Sequence, residues 1–316
     1  MNVAVVVPTC RPESIPVWLD AWASELEEVS ATVYIVEDAP QRSGISSSIP
    51  FKHLSHADIT SDIISTKTDG VRCLGFLHAF RDGADIIITL DDDVTPATKM
   101  PVLQTHVDRL TQPVKQQAWG FALTDKRTRG LPYVAGHRII PCVVNHGLWL
   151  GQPDLDASNQ LVSNWRIENF ADEPFAAALP QGTYIPISAM NLAFRREITC
   201  AYYFPPQGAG QPFDRFGDIW AGVIAKRVCD HLKLGVRSGA PYVQHERASN
   251  PFSNLIKEAP GIAANERFWQ VIDAAKLVSS TPEGCCGDIW EHLQRQQDTY
   301  LNRLGVCMEA WWRLLS

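Results

Sequence analysis

Apolar residues along this chain come in two alternating rhythms. Residues 3–7, VAVVV, form an unbroken apolar block that stops at Pro8-Thr9, as expected of a strand covered on both faces. The loop TCRPES follows. After Ser14, apolar side chains recur at helical spacing at Ile15, Trp18, Leu19, Trp22 and Leu26. Thr32–Glu37 is a second buried strand, ending at Asp38. A polar interval then gives way to a helix over about 70–81. ADIIITLDDDVTP (84–96) holds a third strand, which stops at Asp91, Asp92 and Asp93. Strands and helices in this order predict a parallel sheet with Rossmann-like connections.

Farther on the pattern is less regular. Residues 97–118 predict a polar surface helix, followed by a strand, AWGFAL (118–123). The segment TDKRTRGLPYVAGHRIIP (124–141), with Lys126, Arg127, Arg129 and Arg138, reads as a loop. CVVNHGLWLG (142–151) and TYIPISAMNLAFRRE (183–197) are strand-like. The Gly- and Pro-rich loop PPQGAGQPFDRFGD (205–218) precedes a helix over 219–232, and a short strand, LGVRSG, leads into PYVQHERASNPF. From about residue 263 the chain turns helical. Residues 288–314 repeat apolar side chains at Ile289, Leu293, Tyr300, Leu301, Leu304, Met308, Trp311 and Trp312, an amphipathic pattern expected to break near Gly305. Its aromatic end reads either as a docking helix or as an oligomer contact. The organisation expected is an α/β catalytic domain over 1–262 and a helical extension over 263–316, packed on that domain or in an oligomer contact.

Composition narrows the class. The 316 residues are 45% hydrophobic and 20% charged, enough for a full core. A net charge of −7 argues against a general nucleic-acid or membrane-surface binder. No stretch approaches the ~20 apolar residues of a membrane span. The eight cysteines include no CxxC pair, and MNVAVVVPTCRP lacks a basic leader segment, so a cytoplasmic chain with reduced thiols is expected. No G-x-G-x-x-G follows the first strand, which removes the main support for a dinucleotide enzyme.

The candidate chemistry gathers at strand ends, where open α/β sheets bind ligands. Asp91, Asp92 and Asp93 repel one another unless a cation is present, and oxygen ligands suit Mg²⁺ or Mn²⁺. Taken alone, LDDD reads equally as a helix start, because Asp caps helices. Asp93 and Asp91 are the candidate metal ligands, with Asp91 also toward the ribose and Asp92 facing either way. His245, in PYVQHE, is a candidate further ligand, although a lone His is more often structural. Pro8, Thr9, Arg11 and Asp38 lie on the first two strand-end loops, where nucleotide-sugar enzymes of the GT-A type read base and ribose, although a turn with Asp38 capping the next segment also accounts for them. Lys67 and Arg72 could neutralise a diphosphate, although a solvated helix face is the usual explanation for such residues. Asp218, heading a helix in GDIWAG, is either an N-terminal cap or a catalytic carboxylate.

VVPTCRP, LDDD, HGLWLGQPDLDA, MNLAF, GQPFDRFGDIWAG, DHLKLGV and HERASNPFSNL resemble, in the same order, segments of the reversibly glycosylated polypeptide family, whose plant members are UDP-arabinopyranose mutases. The resemblance covers about residues 5–256. It implies a GT-A-like fold, Mn²⁺ or Mg²⁺, UDP-sugar binding with His146 of HGLWL in the nucleotide-sugar site, and a homo-oligomer. It further implies that the sugar is carried covalently on an arginine shortly before HGLWL, which places that role at Arg138, with Arg129 as another participant. The local sequence around Arg138 departs from the family pattern, and Gly217 stands where members tend to have an acid. Alternatives are a glycosyltransferase acting on a separate acceptor and a self-glycosylating, non-turnover subunit.

Overall fold

The computed structural model describes residues 1–97, 100–119, 129–132, 136–163, 165–169, 177–246 and 249–316. Its centre is an eight-stranded mixed sheet. In chain order the strands are β1 (Val3–Thr9), β2 (Thr32–Glu37), β3 (Lys52–Leu54), β4 (Ile86–Leu90), β5 (Val94–Pro96), β8 (Cys142–Gly151), β9 (Asn191–Arg195) and β10 (Gly235–His245). They lie side by side as β3-β2-β1-β4-β9-β8-β10-β5. The first four are mutually parallel. β9 runs antiparallel to both β4 and β8, so β8 and its parallel neighbour β10 point the same way as β4. The C-terminal ends of β1, β2, β4, β8 and β10 therefore share one rim. This is the GT-A-like, Rossmann-like α/β arrangement that the resemblance implies. The remaining two strands, β6 (Val114–Gln117) and β7 (His137–Ile140), form a separate antiparallel pair.

Helices cover both faces, which explains why the N-terminal strands are apolar without alternation. Val3, Val5 and Val7 point into a core with α1 (Ile15–Glu28) and α3 (Val102–Thr111), while Ala4 and Val6 point into a second core with α2 (Arg72–Arg81) and α5 (Gly217–Leu232). Tyr34 and Val36 follow the same division against Val33 and Ile35. A short α4 (Ala157–Val162) and a long α6 (Pro251–Asp273) come next, and the chain ends in α7 (Pro282–Gln294) and α8 (Thr299–Leu315).

Several expectations change in detail. α6 is continuous over Pro251–Asp273, and Cys286, Ile289, Met308 and Trp311 share a core with Phe76, Phe194 and Trp220. The C-terminal helix divides at Arg295–Asp298 rather than at Gly305. Asp298 caps α8 by accepting from the N–H groups of Tyr300 and Leu301. Gly305 instead allows close helix packing, since a Cβ there would sit 2.6 Å from the Trp290 carbonyl oxygen. Trp311 is fully buried and donates to the Thr199 carbonyl at 3.2 Å, so this end of the helix docks on the main body. The expected strand over 183–197 shortens to β9, and the short strand LGVRSG lengthens into β10 through PYVQH. The strand expected over 118–123 lies largely outside the described residues. No helix among those described is long and apolar enough to cross a membrane.

Candidate active site

The shared rim brings most of the sequence candidates together. The Asp92 carboxylate accepts from Thr9 Oγ1 at 2.6 Å, pairs with the Arg11 guanidinium, and meets Ser14 Oγ at 3.3 Å. Arg11 is itself steadied by its backbone N–H, which donates to Thr9 Oγ1 at 2.9 Å. Beneath this turn Trp18 Nε1 donates to the Asp91 carbonyl and Trp22 Nε1 to that of Val94, both at 3.1 Å. Arg72 reaches across from α2, donating to Thr89 Oγ1 at 2.7 Å and pairing with the Asp91 carboxylate. Thr89 faces this side because it shares the strand face of Ile87, toward α2. Arg72 is thus a buried ion-pair partner rather than a solvated side chain, with 5% of its surface exposed.

His245 ends β10 opposite Asp93. Its Nδ1 lies 2.5 Å from the Gln152 carbonyl oxygen, which can only accept, so Nδ1 carries the proton. Nε2 then presents a lone pair toward Asp93 Oδ1 at 3.9 Å. Two ligands at roughly 2.1 Å from one ion are at most about 4.2 Å apart, so this pair fits a divalent cation. Among the described residues no third His, Cys, Asp or Glu is gathered into the same cluster. Arg11 Nη2 also lies 3.3 Å from Asp93 Oδ2. Burial and the neighbouring Asp91 push the Asp93 carboxyl above its usual range, while Arg11, and His245 when protonated, draw it down.

At the end of β2, Asp38 accepts from His56 at 2.6 Å and from the Lys67 backbone N–H at 2.9 Å. Lys67 contributes through its left-handed backbone, φ 59°, and its side chain is exposed. Pro8 continues β1 opposite Val36.

A second acidic group lies behind Arg72. The Asp218 carboxylate accepts from the N–H of Ala189 at 2.9 Å and that of Ile219 at 2.8 Å. The Asp218 N–H donates to Asp69 Oδ2 at 3.2 Å, and Thr68 Oγ1 donates to Asp69 Oδ1 at 2.8 Å. Asp154, in the loop after β8, bonds Ser188 beside them. Burial raises all three carboxyls, and burial together with Asp69 and Asp154 pushes Asp218 up to about 7. Asp69 and Asp154 had no assigned role in the sequence reading. The signal for Asp154 was its place after a parallel strand, and that for Asp69 was its place before a helix leading into the acidic strand.

Three of the sequence candidates lie apart from these acids. His146 is 2% exposed. Its Nε2 accepts from the Ser188 N–H at 3.3 Å and its Nδ1 bonds Ser238 Oγ at 2.9 Å, and burial holds its pKa down to about 4. It supports the wall on which Ser188 and Ala189 stand. Arg138 is exposed on β7, opposite Gln116. β7 leads into the start of β8 and β6 packs against Gly235 at the start of β10, so Arg138 lies toward the N-terminal ends of these strands, away from the acids at the C-terminal end of β4. Arg129 is exposed in a turn, and among the described residues neither arginine bonds the acidic groups.

HGLWL and MNLAF have a structural explanation. Asn191 of β9 donates to the carbonyls of Leu148 and Pro241 and accepts from His106, which in turn accepts from Asn145. A Cβ at Gly147 would overlap the Asn191 amide and approach the Pro241 carbonyl to 2.6 Å. These buried amides lock the antiparallel β9 between β4 and β8.

Two cavities, of about 570 and 240 Å³, open at the opposite edge, around Arg195, Arg196 and Ile139. Their size does not make them the reactive centre. Arg195 is paired with Glu197 at 2.9 Å, and Arg196 is held by the Phe80 carbonyl and lies over the Phe80 ring.

Fold and rim together define an α/β enzyme of the GT-A-like class, with acids at the end of the fourth strand and guanidinium groups between them. The chain belongs to the reversibly glycosylated polypeptide family, whose pattern it matches over residues 1–316. It is 36% identical over 265 residues to the probable UDP-arabinopyranose mutase 1 of Solanum tuberosum, covering 78% of this chain and 71% of that protein. It is 32% identical over 330 aligned residues to UDP-arabinopyranose mutase 1 of Arabidopsis thaliana, covering 97% of this chain and 90% of that protein. Among solved structures it is similar to glucosyl-3-phosphoglycerate synthase from Mycobacterium tuberculosis in complex with Mn²⁺, UDP and glucosyl-3-phosphoglycerate. That likeness has a TM-score of 0.45 at 12% identity and covers 85% of this chain and 79% of that one.

Proposed function

We propose that this protein is a UDP-sugar mutase that interconverts pyranose and furanose forms, UDP-arabinopyranose and UDP-arabinofuranose or a close relative. The observation that carries this reading is the likeness to UDP-arabinopyranose mutase 1 of Arabidopsis thaliana over nearly the whole of both chains. The rim supports it. Asp38 and Thr9, at the ends of β2 and β1, would meet base and ribose, and Asp93 and His245, with Asp91 beside them, would hold Mn²⁺ or Mg²⁺. A divalent ion bound there supplies Lewis-acid charge to the departing diphosphate. Arg11 and Arg72 fix the orientation of the acids. Asp218, beyond Arg72, would hold or release a proton at the sugar. In the mutase reading the sugar is carried on a guanidine nitrogen, which divides one rearrangement into two substitutions.

The test is incubation with UDP-arabinopyranose and Mn²⁺, followed by NMR of the sugar nucleotides. The furanose form is expected. Its absence in both directions, with UDP demonstrably bound, sinks the reading.

One observation favours a second reading, transfer to a separate acceptor: Arg138 stands away from the acids. UDP release that requires an added acceptor, without isomerised sugar nucleotide, would establish it. Intact-mass analysis with peptide mapping identifies any carrier arginine, including Arg138 and Arg129. A stable adduct without turnover would mark a self-glycosylating subunit.

A further inference from the structure

Gly217 opens α5 with ordinary helical backbone, so conformational freedom does not explain a glycine there. Space does. A Cβ at residue 217 would lie 2.8 Å from both carboxylate oxygens of Asp69 and 3.1 Å from its Cγ. Asp69 comes from a different part of the chain, the 3-10 turn Asp69–Val71 that leads into α2. Its carboxylate fills the place a side chain would take, accepts the Asp218 N–H at 3.2 Å, and is fixed on its other oxygen by Thr68 Oγ1 at 2.8 Å. Asp218 is then held on every side. One carboxylate oxygen accepts from Ala189, the other from Ile219, and the Asp218 N–H is bound to Asp69. The charged groups around Asp218 are Asp69 from the turn, Asp154 from the loop after β8, and Arg72 from α2, with Asp214 acting on Asp69. Arg72 already pairs with Asp91, so its charge is shared.

We propose that Asp69 is a positioning residue: seated against Gly217, its carboxylate fixes the first turn of α5 so that Asp218 exchanges a proton with the rearranging sugar. This inference rests on the mutase reading. With the sugar held at C1 by a guanidine nitrogen, the bond from C1 to the ring oxygen breaks and its electron pair leaves on oxygen. The nitrogen lone pair closes a C1=N bond, and the Asp218 carboxyl proton passes to that oxygen. The hydroxyl that forms the other ring then adds to C1, and the C1=N electron pair returns to nitrogen. The hydroxyl proton passes to the Asp218 carboxylate, so the carboxyl ends as it began and no further reactant is needed. A carboxyl that titrates near neutrality suits a group that must give and retake one proton.

The experiment compares wild type with Asp69→Asn, which keeps the shape and the acceptor but removes the charge. Two quantities are read: the pH dependence of kcat with UDP-arabinopyranose, and the titration of the Asp218 carboxyl carbon by ¹³C NMR. Both midpoints should move down by about one pH unit, with KM changed less than about twofold. If Asp69→Asn does not fold, Gly217→Ala displaces the carboxylate without removing it, and kcat should fall about tenfold at unchanged KM. Active wild type with both midpoints unmoved in Asp69→Asn, or with full kcat in Gly217→Ala, overturns this inference alone. Wild type that interconverts no sugar in either direction overturns the mutase reading and this inference with it.

Discussion

At Asp92 the carboxylate takes Thr9 Oγ1 and the Arg11 guanidinium, whereas Asp93, one residue later, faces the lone pair of His245. Asp91 has a third partner, Arg72. The triplet itself was legible in the sequence, because acids at the end of a buried strand lie where a sheet binds ligands. Its division of labour was not, since Arg11, Arg72 and His245 reach it from separate loops and helices. His146 and His245 illustrate the limit. Both lie in strands that run toward one rim, yet one imidazole spends both nitrogens on Ser188 and Ser238, and the other keeps Nε2 open. His245→Ala should therefore weaken Mn²⁺ binding by about 10–100-fold, read by isothermal titration calorimetry. His146→Ala should cost stability while leaving Mn²⁺ affinity within about twofold, because it acts through the wall behind the site. Equal losses of Mn²⁺ affinity in the two variants would contradict this assignment.

Among the elements, the strands covered on both faces were the easiest to read. Val3–Thr9, Thr32–Glu37 and Ile86–Leu90 alternate between two cores, so every position but the exposed Thr32 is apolar or internally bonded. β9 was harder. Only five residues pair, and the antiparallel insertion between β4 and β8 depends on Asn191, Asn145 and His106, which meet only in the folded chain. HGLWL was conspicuous as a string, but its glycine makes sense only once the Asn191 amide is known to lie against it. Gly147→Ala should accordingly destabilise the fold by about 1–3 kcal/mol through overpacking, seen as a lower urea midpoint at unchanged slope. An unchanged midpoint would show that the amide yields without cost. Gly305 carries the same lesson: a glycine within a helical pattern suggested a break, whereas it permits contact with Trp290.

For the molecule as a whole, buried ionisable groups make stability depend on pH in two opposing ways. His106 and His146 are held to about 3 and about 4, so their contribution is present above the usual histidine range near 6.5 and is lost as pH falls through those values. Asp218 works in the other direction. Its unfolded carboxyl releases its proton near pH ~4, whereas the folded one retains it to about 7, so stability falls across that window as pH rises. Asp218→Asn removes this fall. Its urea midpoint should gain on wild type between about pH 5 and about pH 8, and a constant difference would show that Asp218 does not carry the linkage. The C-terminal helices also bear on how the chain folds. Arg81 Nη2 at the end of α2 donates to the Leu314 carbonyl at 2.9 Å, and Trp311 closes the core over Tyr203. During synthesis the N-terminus emerges first, and the parallel strands have all their pairing partners long before α8 exists. Until α8 docks, the part of the α2 and α5 core around Tyr203, which Trp311 covers, stays open to water. Docking of α8, rather than completion of the sheet, is thus the step that hides this part of the apolar surface.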